Sequence, residues 1–116
     1  MDKSHLALLC DYYELTMANG YYLAGLRDQI TYFDVFFRSV PDRGGYAVFA
    51  GLSEVIDYIQ NLRFDAEDID FLRGKGMFGE EFLAYLRDFR FSGDLWAVPE
   101  GTPVFPNESL LTVRAA

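Results

Sequence analysis

Cysteine, histidine and clustered positive charge are what this sequence has least of. Of its 116 residues one is cysteine, Cys10, and one is histidine, His5. A lone cysteine allows no internal disulfide and points to a reducing compartment. Cys10 stands in an apolar run beside a helix start, which makes it a small buried hydrophobe rather than a nucleophile. His5 falls in a segment expected to fray, which argues against a catalytic role. The ten Lys and Arg residues are scattered, and the formal net charge is −8. Both facts argue against nucleic acid as a partner, because phosphate contacts need basic patches. They do not argue against a small phosphate-bearing ligand held locally by one arginine and backbone N–H groups. No apolar run approaches the length of a membrane span. Met1 to Leu9 lacks the basic start and the small-residue cleavage site of a signal peptide. Neither membrane nor export is expected, and the cytoplasm is the expected compartment.

What is present points to a core that something else completes. Hydrophobic residues make up 51% and aromatic residues 17% of the chain, generous for a length that supports one domain with a modest core. The organising stretch is Leu8 to Tyr22, read as a helix. Asp11 is placed as its N-cap, with Glu14 as the capping-box partner three residues later. At about 100° per residue, Tyr12, Leu15, Ala18 and Tyr22 share one side, while Tyr13, Met17 and Gly20 form a second stripe nearly opposite. A surface helix needs one apolar stripe for its own core. Two stripes mean either that the helix is buried in a larger protein, or that a ligand, a second domain or a second subunit presses on it.

Gly25 is placed to end that helix. Ile30 to Arg38 alternates as a strand, with Thr31, Phe33, Val35 and Phe37 on a face expected to be core, and Asp34 and Arg38 among the residues on the other. Arg38 has two readings: it snorkels to water or pairs with Asp34, or it is a rigid phosphate-contacting guanidinium. Pro41 to Gly45 reads as a turn. Tyr46 to Ala50 is either a short strand or a first helical turn. From Leu52, the positions Leu52, Val55, Ile56, Ile59 and Leu62 make a helical stripe. Asp65 is an N-cap for a short helix with Ile69 and Leu72 inward. Gly74-Lys75-Gly76 breaks that helix and lacks the spacing of a phosphate-binding loop. Glu80 to Phe89 is a further helix with Phe82, Leu83, Leu86 and Phe89 inward. Gly93 to Val98, Val104-Phe105 and Leu110 to Val113 read as strands separated by proline turns. Glu80, Glu81, Asp88 and Asp94 follow helix surfaces and caps, so they read as a solvated face and not as a metal site. The elements amount to an α+β fold: three or four helices packed on a small, mostly antiparallel sheet.

Four segments carry a family resemblance. Asp11-Tyr12-Tyr13-x-Leu15-Thr16-Met17-Ala18 resembles the opening of nicotinate phosphoribosyltransferases. Phe36-Phe37-Arg38, then Gly44-Gly45-Tyr46-Ala47-Val48-Phe49-Ala50-Gly51-Leu52, then Val98-Pro99-Glu100-Gly101-Thr102-Pro103-Val104-Phe105-Pro106-Asn107-Glu108, follow in the family's order. The match covers residues 1–116 as the family's N-terminal domain and nothing beyond it.

The resemblance implies a hammerhead-like N-terminal domain of the nicotinate/quinolinate phosphoribosyltransferase type, preceding a catalytic barrel domain that this chain lacks. It implies an enzyme that joins nicotinate to the ribose of phosphoribosyl pyrophosphate, releasing pyrophosphate, with magnesium and with ATP hydrolysis through a phosphorylated histidine. The product, nicotinate mononucleotide, feeds NAD synthesis. The implied partners are the C-terminal barrel and a second subunit of a homodimer, whose shared interface holds the site. Tyr13 matches the tyrosine that stacks on the pyridine ring. Arg38 matches an arginine that reaches substrate phosphate. Asp11 is expected to cap and orient the helix carrying Tyr13. The phosphorylated histidine has no counterpart here, and His5 lies on the wrong side of the Asp11 motif. No catalytic or metal-binding residue is therefore expected in this chain, and no cofactor is expected to be held by it alone. The alternatives are a nicotinamide- or quinolinate-using relative, or a non-catalytic interaction domain of the same fold. Tyr13 and Arg38, neither of which the fold alone requires, favour the enzyme.

Overall fold

The computed structural model describes residues 6–116; His5 lies outside the described residues. The fold is α+β, as the periodicities anticipate; among the described residues there are four α-helices, and the strands form two small antiparallel sheets rather than the one expected. The chain divides into two compact units, one formed by Met1–Asp28 with Asn61–Phe91, the other by Gln29–Gln60 with Ser92–Ala116.

The first unit is helical. Helix α1 spans Tyr12–Leu23, α3 Ala66–Gly74 and α4 Glu80–Asp88. Their apolar stripes meet in one cluster of Leu15, Ile69, Leu72, Phe78, Phe82, Leu83 and Leu86. Leu72 is 0% exposed. Rings fill the rim: Tyr22 lies 5.6 Å from Phe82 and 5.2 Å from Tyr85, centroid to centroid. Helix α1 ends as its glycine demands. Gly25 adopts φ +74°, its N–H donates to Tyr22 O, and the N–H of Leu26 donates to Tyr21 O. That pair of bonds is the Schellman closure, which satisfies carbonyls that a helix end leaves orphaned. Helix α3 opens on a complete capping box, in which the Asp65 carboxylate accepts from the Asp68 N–H and Asp68 accepts from that of Asp65.

The second unit is built on strands. Strands β1 (Thr31–Val35), β5 (Leu111–Ala115) and β3 (Gly93–Ala97) form one antiparallel sheet in the order β1-β5-β3. Phe33 and Leu95 both stand opposite Val113. Strands β2 (Ala47–Val48) and β4 (Pro103–Val104) make a second, two-stranded ladder, which resolves the ambiguity at Tyr46 to Ala50 in favour of a strand. Helix α2 (Leu52–Asn61) follows β2.

Several expectations are corrected here. Strand β1 ends at Val35, not at Arg38. Its ladder with β5 stops at the Val35–Leu111 pair, after which the Val35 and Phe37 carbonyls accept from the N–H groups of Leu110 and Asn107 in the turn before β5. The face expected to be core is not covered, and Phe33 is 69% exposed. Alternation reports that a face is apolar; it does not supply a layer to cover it. Strand β5 lies one to two residues later than expected, at Leu111–Ala115. In α2, Ile56 is exposed and no residue is fully buried. In α1, Tyr12 sits at the rim of the core, its ring edge-on to Phe78 and its hydroxyl donating to Met77 Sδ at 3.4 Å. Cys10, expected to be buried, is exposed. The helix begins at the second residue after it, so the residue that sequence places next to the core is turned outward by the chain's entry into α1.

Candidate functional site

Tyr13 occupies the second position of α1, on the side away from Leu15. Its side chain belongs to a residue 56% exposed, whereas Leu15 is buried at 8%. The second stripe is thus a surface. Met17 follows one turn later and Tyr21 one turn beyond it, both exposed, so that Tyr13, Met17 and Tyr21 line up at intervals of four. Tyr21 was visible to the same helical count. The carboxylates of Glu14 and Asp11 push the Tyr13 phenol above its ordinary range, so the ring is a neutral phenol at physiological pH. The Tyr13 ring is thus left in solvent on a helix anchored by its opposite face.

Asp11 differs from expectation. Its backbone has N-cap geometry, φ −66° and ψ 139°, but its side chain makes no capping bond. The N–H of Glu14 is taken instead by the Asp11 backbone carbonyl at 3.0 Å. The box that sequence assigned to Asp11 and Glu14 is found at Asp65 and Asp68. At Cys10, the thiol donates to Ala7 O at 3.7 Å. Partial desolvation first, then Glu14 and Asp11, hold its pKa above the ordinary thiol value. Cys10 is exposed, and these effects disfavour its thiolate form.

Arg38 lies in a bend after β1, exposed. The pairing with Asp34 does not form. Asp34 accepts from Ser109 Oγ at 3.0 Å and from Thr112 Oγ1 at 2.5 Å. These two hydroxyls hold the Asp34 carboxyl below its ordinary value, Thr112 contributing most. Arg38 has no hydrogen-bond or ion-pair partner among the described residues. Tyr13 belongs to the first unit and Arg38 to the second.

Sequence reasoning missed Glu100. Its carboxylate accepts from the N–H of Gly51 at 2.8 Å and of Leu52 at 2.9 Å, closing the N-terminus of α2 from the β3–β4 turn. The same turn donates from Gly101 N–H to Phe49 O at 2.8 Å and accepts from Phe49 N–H at Thr102 O at 2.9 Å. Two of the family-like segments, Gly44 to Leu52 and Val98 to Glu108, are therefore one structural piece. The only sequence signal was an acid between two turn residues.

Three of the four acidic residues weighed as metal ligands are engaged in ion pairs. Glu80 pairs with Arg73 at 2.8 Å, Asp88 with Arg87 at 3.3 Å and Asp94 with Arg114 at 3.0 Å. Among the described residues no three His, Cys, Asp or Glu side chains group as a cation site. No helix among them is long and apolar enough to cross a membrane.

Comparison with known proteins places these residues in context. A sequence model described as the nicotinate phosphoribosyltransferase (NAPRTase) N-terminal domain matches residues 8–116. The chain is 46% identical over 109 residues to the nicotinate phosphoribosyltransferase pncB2 of Mycobacterium tuberculosis, covering 94% of this chain and 23% of that protein. It is 39% identical over 110 residues to the nicotinate phosphoribosyltransferase of Bacillus subtilis, covering 95% and 22%. In structure it resembles human nicotinic acid phosphoribosyltransferase with a TM-score of 0.81 and 32% identity, over 91% of this chain and 22% of that one. The chain thus spans less than a quarter of the length of these relatives.

Proposed function

The chain belongs to the nicotinate phosphoribosyltransferase family, matching its N-terminal domain, and from that premise we propose that it forms one wall of a site for phosphoribosyl transfer. In the whole enzyme the pyridine nitrogen of nicotinate bonds to the ribose carbon of phosphoribosyl pyrophosphate as the bond to pyrophosphate breaks. The products are nicotinate mononucleotide, a precursor of NAD, and pyrophosphate. The task of this chain is binding and orientation. Tyr13 offers its ring face to the pyridine, and Arg38 its guanidinium to substrate phosphate. We assign the barrel domain, the second subunit, magnesium and ATP to the rest of the assembly, and the whole enzyme to the cytoplasm. On this reading the 116 residues alone carry no transfer, since positioning without the groups that stabilise the departing pyrophosphate does not lower the barrier.

One observation carries the proposal: Tyr13 is a large aromatic left in solvent on a helix whose core contacts are made by the opposite face. Little side-chain entropy is lost when such a ring docks a flat ligand. In the full-length enzyme, Tyr13→Ala is expected to lower kcat/KM for nicotinate about tenfold or more, with Tyr13→Phe mild, since the ring and not the hydroxyl stacks. The unfolding midpoint should hardly move in either variant. Normal kinetics in Tyr13→Ala, together with a large loss of stability, would make Tyr13 an ordinary core residue. Running nicotinate, nicotinamide and quinolinate in parallel separates this enzyme from relatives that use another pyridine.

A further inference from the structure

Tyr12 and Tyr13 are neighbours on α1 with different surroundings. A helix turns about 100° per residue, so consecutive side chains point to different partners. Tyr13 stands in solvent on the stripe through Met17. Tyr12 turns to the segment that joins α3 to α4, within the same helical unit. Its ring is edge-on to Phe78, with centroids 6.0 Å apart and 74° between the planes. Its hydroxyl donates to Met77 Sδ at 3.4 Å. Phe78 is a fixed wall, since it belongs to the buried cluster and its ring lies 5.7 Å from that of Phe82. Met77 is 60% exposed, so its contact with Tyr12 is not a by-product of burying Met77.

The turn that carries both tyrosines needs such a tie. The first turn of a helix is loose at its end, because its leading N–H groups have no partner within the helix. A capping side chain ordinarily secures it, and in α1 the Asp11 side chain makes no capping bond. Thr16 Oγ1 donates to Tyr13 O at 3.0 Å, which joins that carbonyl to α1 itself and not to the rest of the unit. Leu8 and Leu15 pack with the core cluster on either side. Tyr12 secures the turn between them.

We infer that Tyr12 is a positioning residue for the pyridine substrate: by holding the first turn of α1 against Phe78 and Met77, it fixes where the Tyr13 ring stands. The inference rests on the reading of Tyr13 as the stacking ring and adds the residue that orients it. A ring that swings with a fraying turn must be ordered when the ligand docks, and that ordering is subtracted from affinity. A ring held beforehand loses little. Tyr12 does this through the backbone of the turn, since its own side chain is engaged with the α3–α4 segment.

The test is steady-state kinetics of the full-length enzyme, with nicotinate and phosphoribosyl pyrophosphate varied separately. Tyr12→Ala is expected to raise KM for nicotinate about fivefold, less than the loss of the Tyr13 ring itself, with kcat and KM for phosphoribosyl pyrophosphate unchanged. KM does not depend on the fraction of enzyme folded, so it reads the site even where the variant is less stable. Tyr12→Phe keeps the ring edge against Phe78 and should stay within about twofold of wild type. The double variant Tyr12→Ala with Tyr13→Ala should be no worse than Tyr13→Ala alone, because nothing remains to be positioned. Additive losses in that cycle overturn the inference, and so does an equal rise in both KM values, which reports general loosening. A loss in Tyr12→Phe as large as in Tyr12→Ala removes the ring contact as the tie and overturns it too. A lowered unfolding midpoint in Tyr12→Ala with normal KM for nicotinate makes Tyr12 a residue of the fold only. If Tyr13→Ala is impaired and Tyr12→Ala is not, this inference falls alone; if Tyr13→Ala is normal, the stacking reading falls and takes it along.

Discussion

Glu100 gives the sharpest test of how the second unit is held together. Its carboxylate is the acceptor for two backbone donors at the start of α2, at 2.8 and 2.9 Å. Truncation to Ala leaves the Gly51 and Leu52 N–H groups without that partner and removes a negative charge from a helix N-terminus. Loss of a capping side chain costs about 0.5–2 kcal/mol, and loss of the favourable charge at the helix dipole about 0.3–1 kcal/mol. The two effects act through one group and do not simply add, and water re-solvates an exposed N-terminus, so the expected cost of Glu100→Ala is about 1.5 kcal/mol. Glu100→Gln keeps one acceptor oxygen and turns an amide N–H₂ towards the other donor, so it should fall between wild type and Ala. Urea unfolding followed by the fluorescence of Trp96, the only tryptophan, reports on the unit concerned, since Trp96 lies in β3. With a slope of about 1–3 kcal/mol per molar urea, the midpoint should drop by about 0.5–1.5 M. Amide hydrogen exchange supplies the local check: Gly51 and Leu52 should lose protection in Glu100→Ala before the rest of α2. Unchanged exchange at those two amides, with an unchanged midpoint, would show that the carboxylate contact contributes nothing and that the backbone bonds between Phe49 and the Gly101–Thr102 turn suffice.

Two further outcomes follow from packing and charge. Leu72→Ala, at a position with no exposed surface, should cost about 2–5 kcal/mol in the helical unit, measured by thermal or urea unfolding; a cost well under that range would mean the cluster collapses around the gap. Asp34 titrates below its ordinary value because Thr112 and Ser109 donate to it, so its contribution to stability is present above the unfolded carboxylate pKa and is lost as pH falls through the lowered folded value. Thr112→Val should raise the Asp34 pKa in an NMR titration and weaken that acid dependence; an unmoved pKa would refute the assignment.

Much of the helical unit was legible in the chain because its signals are local. The division of α1 into a core stripe through Leu15 and an outward stripe through Tyr13 and Met17 follows from helical geometry. The Asp65 start of α3, the break at Gly74-Lys75-Gly76 and the inward set of Phe82, Leu83 and Leu86 are short-range readings of the same kind. So is the Gly25 stop, since a left-handed residue is cheapest where glycine stands. Where two local patterns were alike, the sequence misjudged which one forms: Asp11-x-x-Glu14 and Asp65-x-x-Asp68 both read as starts, but only the second closes a box.

The sequence by itself determined where the helices lie, which face of α1 is spare, and, through four ordered segments, the family. Tertiary structure alone decided which strands pair, where β1 stops, that Cys10 faces out, that Asp34 is claimed by Ser109 and Thr112 rather than by Arg38, and that Glu100 reaches Gly51 and Leu52. The physical reason is range. Helical periodicity, caps and turn residues act within about four positions of the chain, and can be read by counting. The Glu100 contact spans 48 and 49 positions and the Asp34 contacts 75 and 78, so they exist only once the backbone path has brought distant segments together.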